Sequence, residues 1–438
     1  MVEGEREGGE ISRARFCIFE KGSASPRSLI FLKMRFISLR LLTFGLALFG
    51  WSAGAKDFPQ KRFGETPHDY WSREPRDAFA QRSVAVDAAL NDFFANPGPA
   101  TLTSILRGME LAVSSQLLVY SATSLQSGLI RPDNPRALYF GDEVYLGYVP
   151  GGRLEVAAID PEMGPVFYLV EPGRERASVS RTNRCMNCHG GRASEMVPGL
   201  VAESVIPTTT GASLDGFRRE ITGHTIPVRD RLGGWYVTGP HAAGTHHGNL
   251  LGVASGGGYT TSRLVPGKSF DWRHYPTGTS DFFAHLVHEH QLGFHNLVTL
   301  ALYHSREEGT EKTQVVERVA VRLLDYVLFR EEAALPQSGI FPDPVFLRDF
   351  VRSAVRSKDG RSLRDVDLQT RMFKYRCSYM VYTKGFKALP ESFRVVFNRM
   401  LVRALSDSSD RRFDYLPAAE KKAILEILRE TGVLPSEL

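Results

Sequence analysis

The sequence contains few cysteines for its length, and this scarcity limits the folds it can adopt. Four cysteines in 438 residues are too few for a disulfide-stabilised scaffold. The chain also lacks a basic stripe interleaved with aromatic residues, and its formal net charge of +5 is small for this length, so no nucleic-acid partner is predicted. Hydrophobic residues make up 42% and charged residues 24%, which is typical of a globular protein with a sizeable core.

Long apolar runs are scarce as well, and the most prominent one lies near the N-terminus. Residues 34–55 begin with a positive segment containing Arg35 and Arg40, continue with a largely apolar run at 41–51, and finish with small residues at 53–55. This order is typical of a secretory signal peptide that is cleaved after residue 55. The run is shorter than the ~20 residues of a membrane span, so we expect a periplasmic or otherwise exported protein with no transmembrane span after cleavage.

The signal-like segment lies unusually far from the first residue. Residues 1–33 are mostly polar and rich in Arg, Glu and Gly. We therefore expect translation to start at Met34, with residues 1–33 as an upstream mis-start or a disordered segment. A long positive region or an uncleaved signal anchor is the alternative.

Three regions follow the signal-like segment. The first, 56–175, combines helical and β patterns; the second, 176–275, is rich in glycine and loops; the third, 276–438, is helical. These patterns predict an α+β fold with helices at both ends, a small antiparallel sheet in the middle and a long irregular segment around two of the cysteines.

Two local patterns carry most of this fold prediction. A helix is predicted over 75–95, because Phe79, Val86 and Leu90 recur on one helical face. Alternating apolar residues separated by glycine and proline turns predict the antiparallel sheet. The expected strands cover 144–148, 154–158 and 166–170.

The irregular region contains the motif with the most specific chemistry. Cys185, Cys188 and His189 form C-x-x-C-H, the attachment signature of a c-type haem. Two thiols on one helical turn can add across the two vinyl groups of a porphyrin, and the next residue places an imidazole below the iron. Gly190 and Gly191 then end the turn. We expect one covalent haem c, bound through Cys185 and Cys188, with His189 as the proximal iron ligand.

Other uses of a C-x-x-C pair fit less well. A zinc ribbon needs a second C-x-x-C, which the sequence lacks. A thioredoxin-like dithiol follows a strand in a βαβ unit, whereas the surroundings here are loop-like. Export supports the haem assignment, because bacteria attach haem covalently outside the cytoplasm. A structural disulfide or a redox pair is the remaining alternative.

The second axial position of the iron needs a ligand or stays open. Met196 is too close to His189 for the chain to pass around the haem edge, and Met186 lies inside the attachment loop. Histidines are better candidates, because ten of the twelve fall between residues 224 and 304. The candidate distal ligands are His224 and His247, followed by His241 and His246.

A further group of histidines lies on a predicted helix that begins at Thr279 to Asp281. His285, His288 and His295 share one face of this helix. They indicate a metal site, a distal haem face or a proton relay, or else a partly buried helix whose imidazoles bond to the backbone or to carboxylates. The spacing is not the H-E-x-x-H of zinc proteases. The fourth cysteine, Cys377, is expected to be a buried core thiol.

Around Cys185 to His189 the sequence resembles c-type cytochromes, over about a dozen residues. More broadly it resembles a group of large, exported, single-motif haem proteins of uncharacterised function. The shared stretches are Gly233-Gly234-Trp235-Tyr236-Val237-Thr238-Gly239 and His290-Gln291-Leu292-Gly293-Phe294-His295-Asn296. This second resemblance covers most of the chain after the signal-like segment, but it implies no established activity.

These observations predict haem binding with electron transfer to or from a redox partner protein. One alternative is a peroxidase-like or other haem oxidoreductase with an open iron site; a single motif argues against the two-haem peroxidases. Another is a haem-based module that binds or senses a gas or a partner. The sequence does not indicate an oligomeric state or a catalytic residue.

Overall fold

The computed structural model describes residues 63–217, 222–407 and 410–435. The helices in these ranges are α1 (Val84–Ala95), α2 (Pro99–Gly108), α3 (Met186–His189), α4 (Phe282–Arg306), α5 (Lys312–Val327), α6 (Pro344–Arg352), α7 (Lys384–Lys387), α8 (Glu391–Ser406) and α9 (Ala418–Glu430). The strands are β1 (Leu117–Val119), β2 (Arg136–Phe140), β3 (Val144–Tyr148), β4 (Leu154–Asp160), β5 (Gly164–Glu171), β6 (Ser178–Arg181), β7 (Val205–Pro207), β8 (Ser213–Gly216), β9 (Trp235–Tyr236), β10 (Leu250–Ser255) and β11 (Gly258–Arg263).

Seven of these strands form one antiparallel sheet in the order β6-β5-β4-β3-β2-β1-β9. The six N-terminal strands follow one another in space as they do along the chain, so they form a meander, and β9 joins its edge from much farther along. The other four strands pair as β7 with β8 and β10 with β11. The predicted α+β class is confirmed, and the three expected strands are β3, β4 and β5.

The two faces of the large sheet pack against different helices. On one face, α1 and α2 cover a core that includes Leu146 and Val156. The other face presents Phe140, Tyr145 and Phe167 to α4 and the helices around it. Because successive strand residues point to opposite faces, a single meander contributes to two hydrophobic cores.

The helix α4 lies in the centre of the second core, and every residue from 282 to 295 is buried. It begins at Phe282, next to the predicted start, but the cap is the acid Asp281 and not one of the two hydroxyl residues before it: the Asp281 carboxylate accepts a hydrogen bond from the Ala284 amide at 3.0 Å. Close packing with α5 depends on Gly293, where a Cβ atom would lie 2.3 Å from the Tyr326 hydroxyl oxygen. That hydroxyl donates to the His290 carbonyl at 2.9 Å.

The predicted helix over 75–95 is wrong in its first part, since α1 begins only at Val84. The Asp77 carboxylate instead accepts from the amides of Phe79 and Ala80, at 2.8 and 2.9 Å, and from the Tyr168 hydroxyl. Phe79 is buried as expected, but against the Tyr168 ring on β5. A contact with a residue 91 positions away therefore overrides the local helical pattern.

The predicted signal peptide at 34–55 and the expected start at Met34 lie outside the described residues. None of the helices within the described ranges has the length and apolar character of a membrane span.

Replacing the cap of α4 should test how far this helix depends on Asp281. Its second carboxylate oxygen accepts from the Asp343 amide at 2.7 Å, next to the start of α6. We expect Asp281→Ala to lower the free energy of unfolding by about 1–2 kcal/mol. Asp281→Asn keeps an acceptor and should lose less. Urea denaturation of both variants measures this, and equal stability of the two would contradict the capping role.

Burial also raises the pKa of Asp281 from 3.8 to about 6. Between these values the folded chain keeps the proton while the unfolded chain has lost it, so stability should fall as the pH rises from 3.8 to about 6. Asp281→Asn removes this titration. We therefore expect the stability of the asparagine variant relative to wild type to rise by at most about 3 kcal/mol across the range. If the stability difference between the asparagine variant and wild type is the same at both ends of this pH range, the raised pKa of Asp281 is disproved.

Candidate functional site

The motif cysteines lie on one short helical turn. Cys185 precedes α3, and its carbonyl accepts hydrogen bonds from the amides of Cys188 and His189 at 3.2 and 3.0 Å. No disulfide joins the two thiols. Cys188 is exposed, whereas Cys185 is partly buried, and burial raises the pKa of the Cys185 thiol to about 12. Both sulfurs are thus free, one turn apart, for reaction with a single ligand.

His189 has one ring nitrogen bonded and the other available. Its Nδ1 lies 2.9 Å from the Gly199 carbonyl oxygen, which can only accept, so Nδ1 carries the proton. Nε2 then has a lone pair, and it takes no hydrogen bond within the described ranges. The ring packs against Phe167 with centroids 4.5 Å apart, and burial lowers the pKa of His189. A neutral imidazole whose Nδ1–H is held by a carbonyl is the usual state of a metal-binding histidine.

The loop between His189 and Gly199 is closed by several backbone contacts. The Gly199 amide donates to the His189 carbonyl at 2.8 Å, so these two residues pair in both directions. The Ser194 hydroxyl donates to the same carbonyl at 3.2 Å. Glu195 and Met196 turn the chain with left-handed backbone angles, φ 55° and 63°, which non-glycine residues rarely adopt. The orientation of His189 is therefore fixed by its own loop.

Asn296 on α4 attaches this loop to the buried core. Its Oδ1 accepts from the Leu200 amide at 2.7 Å, and its Nδ2 donates to the Leu200 carbonyl at 2.8 Å. Gly199 permits the close approach, because a Cβ atom there would lie 2.4 Å from the Ser194 side chain. Sequence reasoning missed Gly199 and Asn296 as site residues. Asn296 is the last residue of the stretch that begins at His290, which the resemblance includes. Its partner Leu200, however, lies 96 positions away along the chain.

His224 and His290 form a fully buried pair with Nδ1 atoms 2.8 Å apart. One donates to the other. Burial holds the pKa of His224 well below its usual value and lowers that of His290 to about 3, so both rings are neutral at neutral pH. The Nε2 atom of His224 is buried, and in the described part of the chain it has no hydrogen-bond partner. Its ring packs 4.1 Å from Tyr326 and 4.5 Å from Phe329, inside the core.

The other three distal candidates differ in how their ring nitrogens are used. Both ring nitrogens of His246 have partners: Nδ1 accepts from the Gly248 amide at 2.9 Å, and Nε2 lies 2.7 Å from the His241 carbonyl. His241 accepts from the Phe341 amide through Nε2 at 3.0 Å. His247 stacks on Phe217 with centroids 3.7 Å apart, and neither of its ring nitrogens is hydrogen-bonded within the described ranges. Only His246 has both ring nitrogens bonded. Because His241 accepts through Nε2, its Nδ1 carries the proton, whereas His224 and His247 each keep a ring nitrogen without a hydrogen bond within the described ranges.

The histidine face of α4 is buried and bonded mainly to backbone, which favours the structural interpretation. His285 Nε2 lies 3.1 Å from the Tyr236 carbonyl, and His295 Nε2 lies 2.7 Å from the Asp142 carbonyl. Burial lowers the pKa of both to about 4. His288 packs against aromatic rings, with Phe140 at 5.3 Å. Cys377 is fully buried, as predicted, and burial raises the pKa of its thiol.

Among the described residues, no three His, Cys, Asp or Glu side chains lie together in a group that could hold a metal ion. A haem site does not need such a group, because the porphyrin supplies most of the iron ligands and the chain needs to add only an axial one.

A cleft of about 500 Å³ opens beside the loop that follows the motif. Its walls include Ala193 and the residues of β8, and Phe217, which stacks on His247, follows β8 directly. Volumes of this size are common for ligand sites. None of the motif residues Cys185, Cys188 and His189 lines this cleft.

None of the known protein families matches the chain, and no curated protein or solved structure is detectably similar to it. The resemblance to large exported haem proteins therefore stays a prediction that depends on the motifs in the sequence.

Removing the Asn296 amide should loosen the motif loop. We expect Asn296→Ala to lower the free energy of unfolding by about 1–3 kcal/mol, because the amide and the carbonyl of Leu200 both lose their hydrogen-bond partner. Hydrogen exchange at the Leu200 amide should increase for the same reason. Asn398→Ala on α8 is the control, since this partly exposed amide makes no hydrogen bond within the described residues. Unchanged exchange at Leu200 would contradict the role of Asn296.

Proposed function

We propose that this chain is an exported c-type haem protein that binds one covalent haem and transfers electrons. The observation that carries the proposal is the state of His189: Nδ1 is held by the Gly199 carbonyl, and Nε2 is left for iron beside two free thiols on one turn. If the C-x-x-C-H sequence occurred here by chance, nothing would require its histidine to be held in the tautomer that leaves Nε2 free.

The thiols of Cys185 and Cys188 supply the covalent attachment. With a haem bound, each thiol would add its sulfur to one carbon of a vinyl group and its hydrogen to the other, which would give two thioether bonds without an oxidant. The exposed Cys188 is accessible for this reaction, and Cys185 packs at the edge of the core. A haem bound here supplies a one-electron couple between Fe(II) and Fe(III).

For the second axial position the contacts favour His247 over His224. His224 is enclosed by Tyr326, Phe329 and His290 in the core, so a porphyrin could reach its Nε2 only by displacing those rings. His247 is only partly buried and stacks on Phe217, next to the cleft beside the motif loop. A second histidine ligand would make the iron six-coordinate, which suits an electron carrier better than an enzyme with an open site.

Covalent haem should depend on the two motif thiols and on no other cysteine. The chain from residue 56, preceded by an export signal, is expressed together with a haem-maturation system, and covalent haem is measured by mass and by absorption spectroscopy. We expect Cys185→Ser and Cys188→Ser each to lose a thioether bond and most of the bound haem. Cys377→Ser, the matched control, should keep its haem although its buried site is altered. Wild-type protein without covalent haem would disprove the proposed function.

The second ligand is tested by the spin state and by carbon monoxide. We expect a low-spin spectrum that carbon monoxide leaves unchanged in the wild type. His247→Ala should become high-spin and bind the gas, whereas His274→Ala, an exposed histidine outside the candidate set, should not. A wild type that is high-spin and binds the gas would instead favour the oxidoreductase or the sensing module.

A further inference from the structure

A partly buried ion pair lies on the sheet face that carries the motif. Arg136 on β2 reaches across β3 to Glu155 on β4, and its Nη2 lies 2.8 Å from the Glu155 carboxylate. Only glycine allows this crossing, because a Cβ atom at Gly147 would lie 2.2 Å from the same nitrogen. Exposed fractions of 18% and 14% show that both charges are largely withdrawn from solvent.

The register of the sheet places this pair next to His189. Residues Ala157 and Phe167 are cross-strand partners, and the His189 ring packs on Phe167. Glu155 precedes Ala157 by two residues on the same strand, so it points to the same face, about 7 Å along it. Both Arg136 and Glu155 act electrostatically on His189 and on Cys185.

Stability alone does not account for such a pair. Taking two charges out of water costs several kcal/mol, and apolar residues of similar size often serve equally well. The same face offers a comparison one row farther from the motif, where Arg153 and Glu171 lie 3.1 Å apart with exposed fractions of 49% and 37%. Ion pairs exposed to solvent, such as this outer pair, contribute little to stability.

We propose that Arg136 and Glu155 tune the midpoint potential of the haem, with opposite signs. This inference rests on the proposed function. The two residues are positioning residues that act through the field at the iron ligand, and neither is a ligand itself. Gly147 is also needed for this arrangement, because it lets the Arg136 guanidinium lie between β2 and the Glu155 carboxylate.

The sign of each contribution follows from the charge on the iron. Fe(III) carries one more positive charge than Fe(II), so a nearby cation favours the reduced state and a nearby anion favours the oxidised state. In the pair the two fields largely cancel. Removing Arg136 leaves the Glu155 carboxylate without its cation, with a remaining hydrogen bond from Gln126 Nε2 at 3.2 Å, and should lower the midpoint potential. Removing Glu155 should raise it. A water-accessible pair is screened and should have little effect.

The test is a redox titration of the matured holoprotein and three variants: Arg136→Gln, Glu155→Gln and the double variant. We expect a shift to lower potential for the first, to higher potential for the second, and a value close to wild type for the double variant. The surface pair Arg153→Gln and Glu171→Gln is the matched control, and each change there should leave the potential near wild type.

Several results would overturn the inference. Shifts of the same sign in both single variants would mean that the pair acts only by disturbing the fold, and thermal unfolding of each variant reports such damage separately. If Arg136→Gln does not fold, an unshifted potential in Glu155→Gln still disproves the inference. Wild-type protein without covalent haem would overturn the proposed function and this inference together, whereas haem with unshifted variants would overturn the inference alone.

Discussion

The hydrogen bond between His189 Nδ1 and the Gly199 carbonyl determines what the motif can do. It holds the tautomer in which Nε2 keeps its lone pair. Asn296 on α4 bonds both backbone groups of the next residue, Leu200, and so attaches this loop to the core. The position of α4 depends in turn on its cap at Asp281 and on the sheet below it. The candidate site is thus oriented by the centre of the molecule, although Cys188 lies at its surface.

The interior that supports the site contains several buried histidines among its apolar residues. Buried histidines on α4 bond to backbone carbonyls and to His224, and burial keeps them neutral at ordinary pH. A neutral imidazole satisfies a buried carbonyl without placing a charge in the core, which limits the cost of burying it. Charge is withdrawn from solvent beside the motif as well, but there it occurs as the pair Arg136 and Glu155, whose two signs offset each other. Neutral groups in the centre and a matched pair at the site are two solutions to the same problem of desolvation.

Local patterns predicted much of the fold, and they failed where distant contacts prevailed. The strands β3 to β5 and the start of α4 follow from alternation and from a capping residue, both of which act within a few positions. The segment before Val84 has a helical pattern of apolar residues, yet it forms turns because Asp77 bonds to Tyr168. The sequence pattern does not predict the short helix α2, which begins at Pro99, because Pro97 and Gly98 before it are typical of a turn after α1.

The sequence by itself determined the α+β class, the three hairpin strands and the grouping of Cys185, Cys188 and His189 on one turn, because spacing along a chain decides such features. Only the tertiary structure decided which nitrogen of His189 is available and which distal histidines are occupied. It also decided which charges lie beside the motif. The partners involved are far apart along the chain: Asn296 lies 96 positions from Leu200, and Arg136 meets Glu155 only because β3 places Gly147 between them. Hydrogen bonds and desolvation depend on distance in space, and only the folded chain brings those atoms together.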